Sequence, residues 1–261
     1  MPLRLLAVLA HPDDESLGVG GTLAKYAAEG VETFLLTATR GDAGRYGEHR
    51  PGDHGHPGRA ALAAIREQEL RAAASVLGVK EVALLDYFDQ HLDAADAAQV
   101  TGDIVEHVRR IRPQVVITFG PDGAYGHPDH IAICQLTTAA VVAAGDAGIA
   151  KLYYIAWPAS TWNAYQAAFK KLTSMVDGVE RQVVPWPDWA ITTAIDTREF
   201  GQTVWRAIAC HESQMTVYTR LEQLAREHFE ALFGTQSFYR VFSTVNGGRA
   251  REQDLFEGIR Q

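Results

Sequence analysis

Cysteine is scarce in this sequence: Cys134 and Cys210 are the two in 261 residues. Two distant cysteines in a chain of this length exclude a disulfide-stapled scaffold. Positive charge is also short. Lys and Arg number 24 against 32 Asp and Glu, a formal charge of -8, and such a surface repels nucleic-acid phosphates and anionic membranes. Neither is expected as a partner. No apolar run approaches the roughly 20 residues of a membrane span, and the stretch before His11 is too short for a cleavable signal peptide. The expectation is a soluble, cytoplasmic protein. Internal repeats, low-complexity segments and clear linkers are missing as well. With 47% hydrophobic and 21% charged residues, the composition is ordinary for a globular protein. The length suits one large α/β domain with a C-terminal elaboration.

What is present is a run of alternating strand and helix signals. Leu3 to Leu9 is nearly continuous in apolar residues, as a strand covered on both faces would be. Residues 16 to 29 have helical spacing, with Gly30 as a stop, and Val31 to Thr37 reads as a second strand. Strand, helix and strand at this spacing make a βαβ unit. A polar loop rich in Gly, Pro, Asp, Arg and His fills 40 to 59, and long loops of this kind are often functional. Helices are expected at 60 to 77, 97 to 111 and 130 to 143, and strands at Val82 to Leu85, Gln114 to Phe119 and Leu152 to Ala156. The span 157 to 190, with Trp157, Trp162, Trp186 and Trp189, reads as irregular, a lid or a wall. Helices at 198 to 211 and 216 to 232 and a strand from Phe238 to Thr244 complete the pattern. The expected fold is a Rossmann-like three-layer α/β/α domain with a mostly parallel sheet. Residues 1–156 form the catalytic core, and 157–261 form an extension that completes the single domain.

Two motifs carry chemistry. His11-Pro12-Asp13-Asp14-Glu15 directly follows the first strand, where open α/β sheets place their ligand crevice. Imidazole and carboxylate are catalytic zinc ligands, and of two adjacent carboxylates one can bind metal while the other takes a proton. Taken alone, the segment also reads as a polar turn in which Asp13 or Asp14 caps the next helix. The nearby Gly18, Gly20 and Gly21 do not make a dinucleotide fingerprint, because they fall inside the helix and three carboxylates would face the pyrophosphate. Tyr125-Gly126-His127-Pro128-Asp129-His130 follows another strand and supplies further ligands. Both motifs lie at the same edge of the sheet, and together they complete a three-ligand site with an open position.

These motifs, with Thr39 to Gly44, Arg66-Glu67-Gln68-Glu69-Leu70 and His211-Glu212-Ser213-Gln214, resemble the PIG-L/LmbE-like zinc-dependent N-acetylglucosamine deacetylases. The resemblance is full over the first 145 residues and thin beyond. It implies one Zn2+ per chain, with Fe2+ as the alternative, held by His11, Asp14 and His130. It implies Asp13 as general base, His127 as acid or electrostatic partner, and Tyr125 as the oxyanion-stabilising tyrosine. Arg66 and Asp89 would contact sugar hydroxyls, and Arg40 is a further candidate for substrate contact. The partner would be a small amino-sugar conjugate, and a homo-oligomer is compatible with the sequence.

Three other readings compete. An amidase of a thiol or sugar conjugate would use the same site on a different amide. A metal-dependent phosphoesterase would want two metals and more bridging carboxylates. A non-enzymatic sugar-binding protein would have no need of Asp13. Other residues read as structural: His54 and His56 as solvated loop histidines, Cys134 as core, the tryptophans as core or lid. His211 is either a support behind the site or a helix-end histidine.

Overall fold

The opening apolar run forms β1 (Arg4–Leu9), buried from Leu5 onward because it lies inside the sheet rather than at an edge. The computed structural model describes residues 2–169, 173–176, 178–248 and 250–260. From β1 the chain runs through α1 (Asp14–Ala28), β2 (Glu32–Thr39), α2 (Arg59–Val76), β3 (Glu81–Tyr87), α3 (Ala97–Ile111) and β4 (Val115–Thr118). After β4 come an irregular turn, α4 (Gly123–Gly126), then α5 (Pro128–Ala144) and β5 (Lys151–Ile155). The helices form where the apolar spacing predicts them. In α3 the buried residues are Val100, Ile104, Val108 and Ile111, a single stripe, and Asp96 caps the helix by accepting from the N–H groups of Ala98 and Gln99.

The C-terminal part adds α6 (Ala159–Phe169), the hairpin β6 (Thr173–Val176) and β7 (Val179–Gln182), and β8 (Thr193–Asp196). It then runs through α7 (Gly201–Ala209), α8 (Met215–Glu222) and α9 (Arg226–Phe233) into β9 (Thr235–Ser243). The seven-stranded sheet has the order β3-β2-β1-β4-β5-β9-β8. The first five strands are parallel, and β9 is antiparallel to both β5 and β8. The fold is therefore the expected open α/β sheet. The chain moves outward one way through β2 and β3 and the other way through β4 and β5. That makes the β1/β4 junction the topological switch point, where such sheets bind ligands.

Three expectations are corrected. The span 157 to 190 is not irregular throughout: it contains α6 and the hairpin, while 170–172 and 177 lie outside the described residues. The single helix over 216 to 232 is two, α8 and α9, separated at residues 223–225. Strand β8 had no counterpart in the sequence pattern. At four residues it is too short to show a period, and its ladder with β9 is what makes it a strand. Behind β5, Lys151 is wholly buried and donates to Glu252 at 2.7 Å, and Glu252 also accepts from Tyr153, Thr193 and Arg240. This network ties the residues after β9 onto the sheet.

Gly21 marks where α1 meets the C-terminal part. A Cβ there would lie 2.7 Å from the Cβ of Thr197, whose hydroxyl is committed to Phe233 O. Gly102, exposed on α3, has nothing within 4 Å of such an atom. Gly21→Ala should cost about 1–3 kcal/mol through overpacking, whereas Gly102→Ala should stabilise by up to about 1 kcal/mol through helix propensity. Urea unfolding of the two variants tests this. A neutral Gly21→Ala would show that the α1 contact yields easily.

Candidate active site

Between β1 and α1 the chain turns sharply at Asp13, which has φ 107 and ψ -26. Among the described residues, four that are not glycine have positive φ: Asp13, Gln90, Ala124 and Arg112. The first two line one cavity, and Ala124 precedes Tyr125, which also lines it. Such conformations cost about 1–3 kcal/mol each and persist where their surroundings over-determine them. Asp13 stands at the N-cap of α1, yet its side chain makes no capping bond. Its Oδ2 instead accepts from Arg66 Nη2 at 2.9 Å and from the Tyr218 hydroxyl at 2.7 Å. No donor among the described residues reaches Oδ1. The capping reading of this turn is thereby set aside.

Asp14 bends back over the turn, where its Oδ2 accepts from the backbone N–H of His11 at 2.8 Å and of Ala10 at 3.2 Å. His11 Nδ1, His130 Nε2 and the Asp14 carboxylate face one another. The nitrogens are 3.2 Å apart, Asp14 Oδ1 is 3.3 Å from His130, and Asp14 Oδ2 is 3.6 Å from His11. Ligand atoms about 2.0–2.1 Å from a tetrahedral metal lie about 3.3–3.4 Å from each other. The triangle therefore has the dimensions of a zinc-sized site.

The outer side of His11 supports this. Its Nε2 lies 3.0 Å from Asp129 Oδ2 and 3.2 Å from Asp89 Oδ1. A proton there leaves Nδ1 as a bare lone pair, as metal-binding histidines with a carboxylate behind them have. Asp129 is fully buried and also accepts from the N–H groups of Gln90 and Leu92 at 2.7 and 3.0 Å. The ring of His130 stacks on Phe119 with centroids 3.9 Å apart, which fixes its plane.

Two other donor sets lie close enough together to hold a cation: His11, His127 and His130, and His11, Asp89 and Asp129. Hydrogen bonds weigh against both. In the second set, backbone N–H groups already occupy both Asp129 oxygens and one Asp89 oxygen. In the first, His127 Nδ1 accepts from the N–H of Asp129 at 3.2 Å, so its proton sits on Nε2. That leaves the Nε2 proton of His127 facing the cavity as a hydrogen-bond donor.

The electrostatics agree. Burial works against ionisation of Asp14, but His130 and His11 outweigh it and hold the carboxyl well below the usual range. Burial pushes Asp13 upward, with Arg66 opposing and Asp14 adding to the rise. Burial, and then the neighbouring His11 and His130, push His127 down to about 3, so it stays neutral. Burial would lower His11 too, but bonds to Asp129, Asp14 and Asp89 raise it well above its ordinary value. Three carboxylates around one imidazole demand a positive charge, and a divalent cation would supply it.

The cavity holds about 290 Å³. His11, Asp13, Asp14, Tyr125, His127 and His130 all line it. Arg66 and Asp89 line it too; Arg66 Nη1 and Nη2 are engaged, while its buried Nε has no partner among the described residues. Arg66 donates to Gly41 O, Pro12 O and Asp13, and Asp89 accepts from Ala43 N and faces His11. Arg40 is not brought to the cavity. It pairs with Glu67 and Asp86 beside a separate depression lined by Arg59 and Phe88. His54 is exposed and His56 contacts Gly44 O, while Cys134 is buried and burial pushes its thiol up to about 12. Trp157 lines the cavity and stacks on Tyr165, whereas Trp189 is exposed. Asp129 and Tyr218 were not among the sequence candidates. Asp129 stands between two site histidines, a visible signal, whereas nothing in the sequence marks Tyr218.

A profile described as "PIG-L: GlcNAc-PI de-N-acetylase" matches residues 6–141. The 1D-myo-inositol 2-acetamido-2-deoxy-alpha-D-glucopyranoside deacetylase of Rhodococcus jostii is 33% identical, over 98% of this chain and 98% of that protein. Among solved structures, an N,N'-diacetylchitobiose deacetylase from Pyrococcus horikoshii superposes with a TM-score of 0.67 at 21% identity, covering 91% of this chain and 83% of that one. A 4-carboxy-2-hydroxymuconate hydratase from Pseudomonas putida gives 0.70 at 18% identity, covering 95% of this chain and 100% of that one. At such identities both structures speak for the fold alone.

If the carboxylate behind His11 orients it, Asp129→Asn should weaken divalent-metal affinity by about 10–100-fold. His11→Ala should abolish stoichiometric binding. Equilibrium dialysis against zinc measures both, and undiminished binding in His11→Ala would remove this triangle as the metal site.

Proposed function

The chain belongs to the PIG-L family of de-N-acetylases, and on that premise we propose that it is a zinc-dependent hydrolase removing the acetyl group from an N-acetylglucosamine conjugate. The observation that carries the reading is the triangle of His11, Asp14 and His130 with a carboxylate at its side, Asp13, that has one oxygen without a donor among the described residues. The relatives' names make an inositol glycoside the first substrate to try.

His11, Asp14 and His130 would hold the metal, which when bound supplies the Lewis acidity that makes water a nucleophile near neutral pH and polarises the acyl oxygen. Fe2+ would fit the same donor set. Asp13 Oδ1 takes the proton of the attacking water, and burial makes it the better base. The protonated Asp13 then returns that proton to the departing amine. Neutral His127 keeps its Nε2 proton and donates a hydrogen bond to the developing oxyanion rather than acting as the acid. Tyr125 donates a second bond without adding charge.

The sugar and its aglycone lie along Leu17, Trp157, Tyr165 and Val217, with Gln90 and Gln214 as polar contacts. A cavity of about 290 Å³ suits a small glycoside. No described helix is long and apolar enough to cross a membrane. A thiol-conjugate amidase would release a larger acid in place of acetate.

The test is release of acetate and primary amine from N-acetylglucosaminyl inositol, with zinc present and after chelation. Activity should vanish on chelation and return with about one zinc per chain. Asp13→Ala should keep its metal and lose about 10²–10⁴-fold in kcat. Tyr125→Phe should lose about 10–10³-fold with little change in KM. Metal-independent turnover, or an Asp13→Ala variant of normal kcat, would overturn the mechanism.

A further inference from the structure

The peptide between Pro12 and Asp13 is gripped on both faces. Its carbonyl accepts from Arg66 Nη2, and its N–H donates to Glu15 Oε2 at 2.9 Å. Glu15 is wholly buried. Its other oxygen accepts from Ser16 Oγ at 2.5 Å and from His211 Nε2 at 2.8 Å. His211, 196 residues further along the chain, is also wholly buried. Its Nδ1 has no partner among the described residues, so the polar bonding of the ring shown there goes to Glu15.

The place of His211 is set by its neighbours. Ser213 donates from its N–H and its hydroxyl to the two oxygens of Glu69 on α2. Gln214 Nε2 donates to Arg45 O, and the N–H of Gly47 donates to Ser213 O, each at 2.7 Å. The helix that carries Arg66 therefore also fixes His211. From α8, Tyr218 reaches Asp13 Oδ2, the oxygen that Arg66 already holds.

Taking Asp13 as the proton acceptor of the reaction proposed above, we infer that His211 and Tyr218 are positioning residues for it. His211 acts through Glu15 on the backbone that holds Asp13 at positive φ. Tyr218 occupies Oδ2 and so selects Oδ1 as the oxygen that meets the water. Stability alone does not account for the Glu15–His211 pair, since buried charged pairs are commonly no better than well-packed apolar residues. A satisfied core histidine and a core tyrosine would be the bland alternative. They would lower the melting temperature when replaced and leave the kinetics of the folded fraction intact.

Three variants separate the two: His211→Ala, His211→Gln, which can keep an N–H near the imidazole Nε2, and Tyr218→Phe. The first readout is structural. In His211→Ala the Asp13 amide proton should lose its exchange protection and its carboxylate-bonded NMR shift, and in His211→Gln it should keep both. The second is kinetic, at full zinc loading. His211→Ala should lose about 10–100-fold in kcat with KM and zinc stoichiometry unchanged, as a misplaced catalytic group does. His211→Gln should recover most of that loss, and Tyr218→Phe should lose kcat with KM held. An unchanged Asp13 amide in His211→Ala overturns the inference, as does wild-type kcat in both His211→Ala and Tyr218→Phe. Should His211→Ala fail to fold, the decision passes to Tyr218→Phe, where wild-type kcat is the overturning result. A wild-type protein that releases no acetate would defeat the deacylase reading separately, and the amide readout would still decide whether His211 positions Asp13.

Discussion

The site depends on one imidazole used at both nitrogens. His11 directs Nε2 toward Asp129 and Asp89 and so frees Nδ1 to face Asp14 and His130. The arrangement draws in the turn after β1, the segment after β3 and the start of α5. It exists because β1 and β4 are neighbours in register, Leu5 beside Val115 and Ala7 beside Ile117. A slip of one residue would turn every side chain of β1 to the opposite face. The continuous burial of β1 and β4 is therefore a condition of the chemistry as well as of stability.

Charge is the second constraint. Asp13, Asp14, Asp89 and Asp129 are all buried around one cavity, with Arg66 as the buried guanidinium among them. Buried carboxylates are costly unless paired and hydrogen-bonded. Backbone N–H groups, Arg66 and the histidines meet part of that demand. The rest falls on His11: burial lowers its pKa, but bonds to Asp129, Asp14 and Asp89 outweigh that and raise it well above the ordinary value. A cation at the triangle and a proton on His11 Nδ1 are alternative answers to one electrostatic problem, so metal binding should release protons.

Much of this was legible in the sequence, for identifiable reasons. The two motifs follow apolar runs that could only be interior parallel strands, so both had to lie at one sheet edge. The three candidates that the resemblance offers as metal ligands, His11, Asp14 and His130, lie together. What escaped notice depends on pairing across the fold. Strand β8 exists through β9, and the break between α8 and α9 interrupts no obvious apolar period. Arg40 looked like a substrate contact by its neighbourhood in sequence, but Glu67 and Asp86 draw it to a different depression. Asp129 stands in plain view between His127 and His130, but the sequence assigns it no role of its own. Its role appears only once the segment after β3 delivers the Gln90 and Leu92 amides to it.

The likeness to a hydratase as well as to a deacetylase shows how little the sheet alone says about reaction. In this chain the distinction rests on which carboxylate is left free. Asp14 faces His11 and His130 and accepts from two backbone amides, Asp129 faces His11 and accepts from two more, and Asp89 faces His11 and accepts from Ala43. Of these four, Asp13 is the one with an oxygen, Oδ1, that has neither a hydrogen bond nor an imidazole contact among the described residues, and a strained backbone holds it there. The elements that hold it come from both ends of the chain: Arg66 from α2, His211 from the loop after α7, Tyr218 from α8. The C-terminal part, where the resemblance is thinnest, thus converges on Asp13, whereas His11, Asp14 and His130 all come from the first 130 residues.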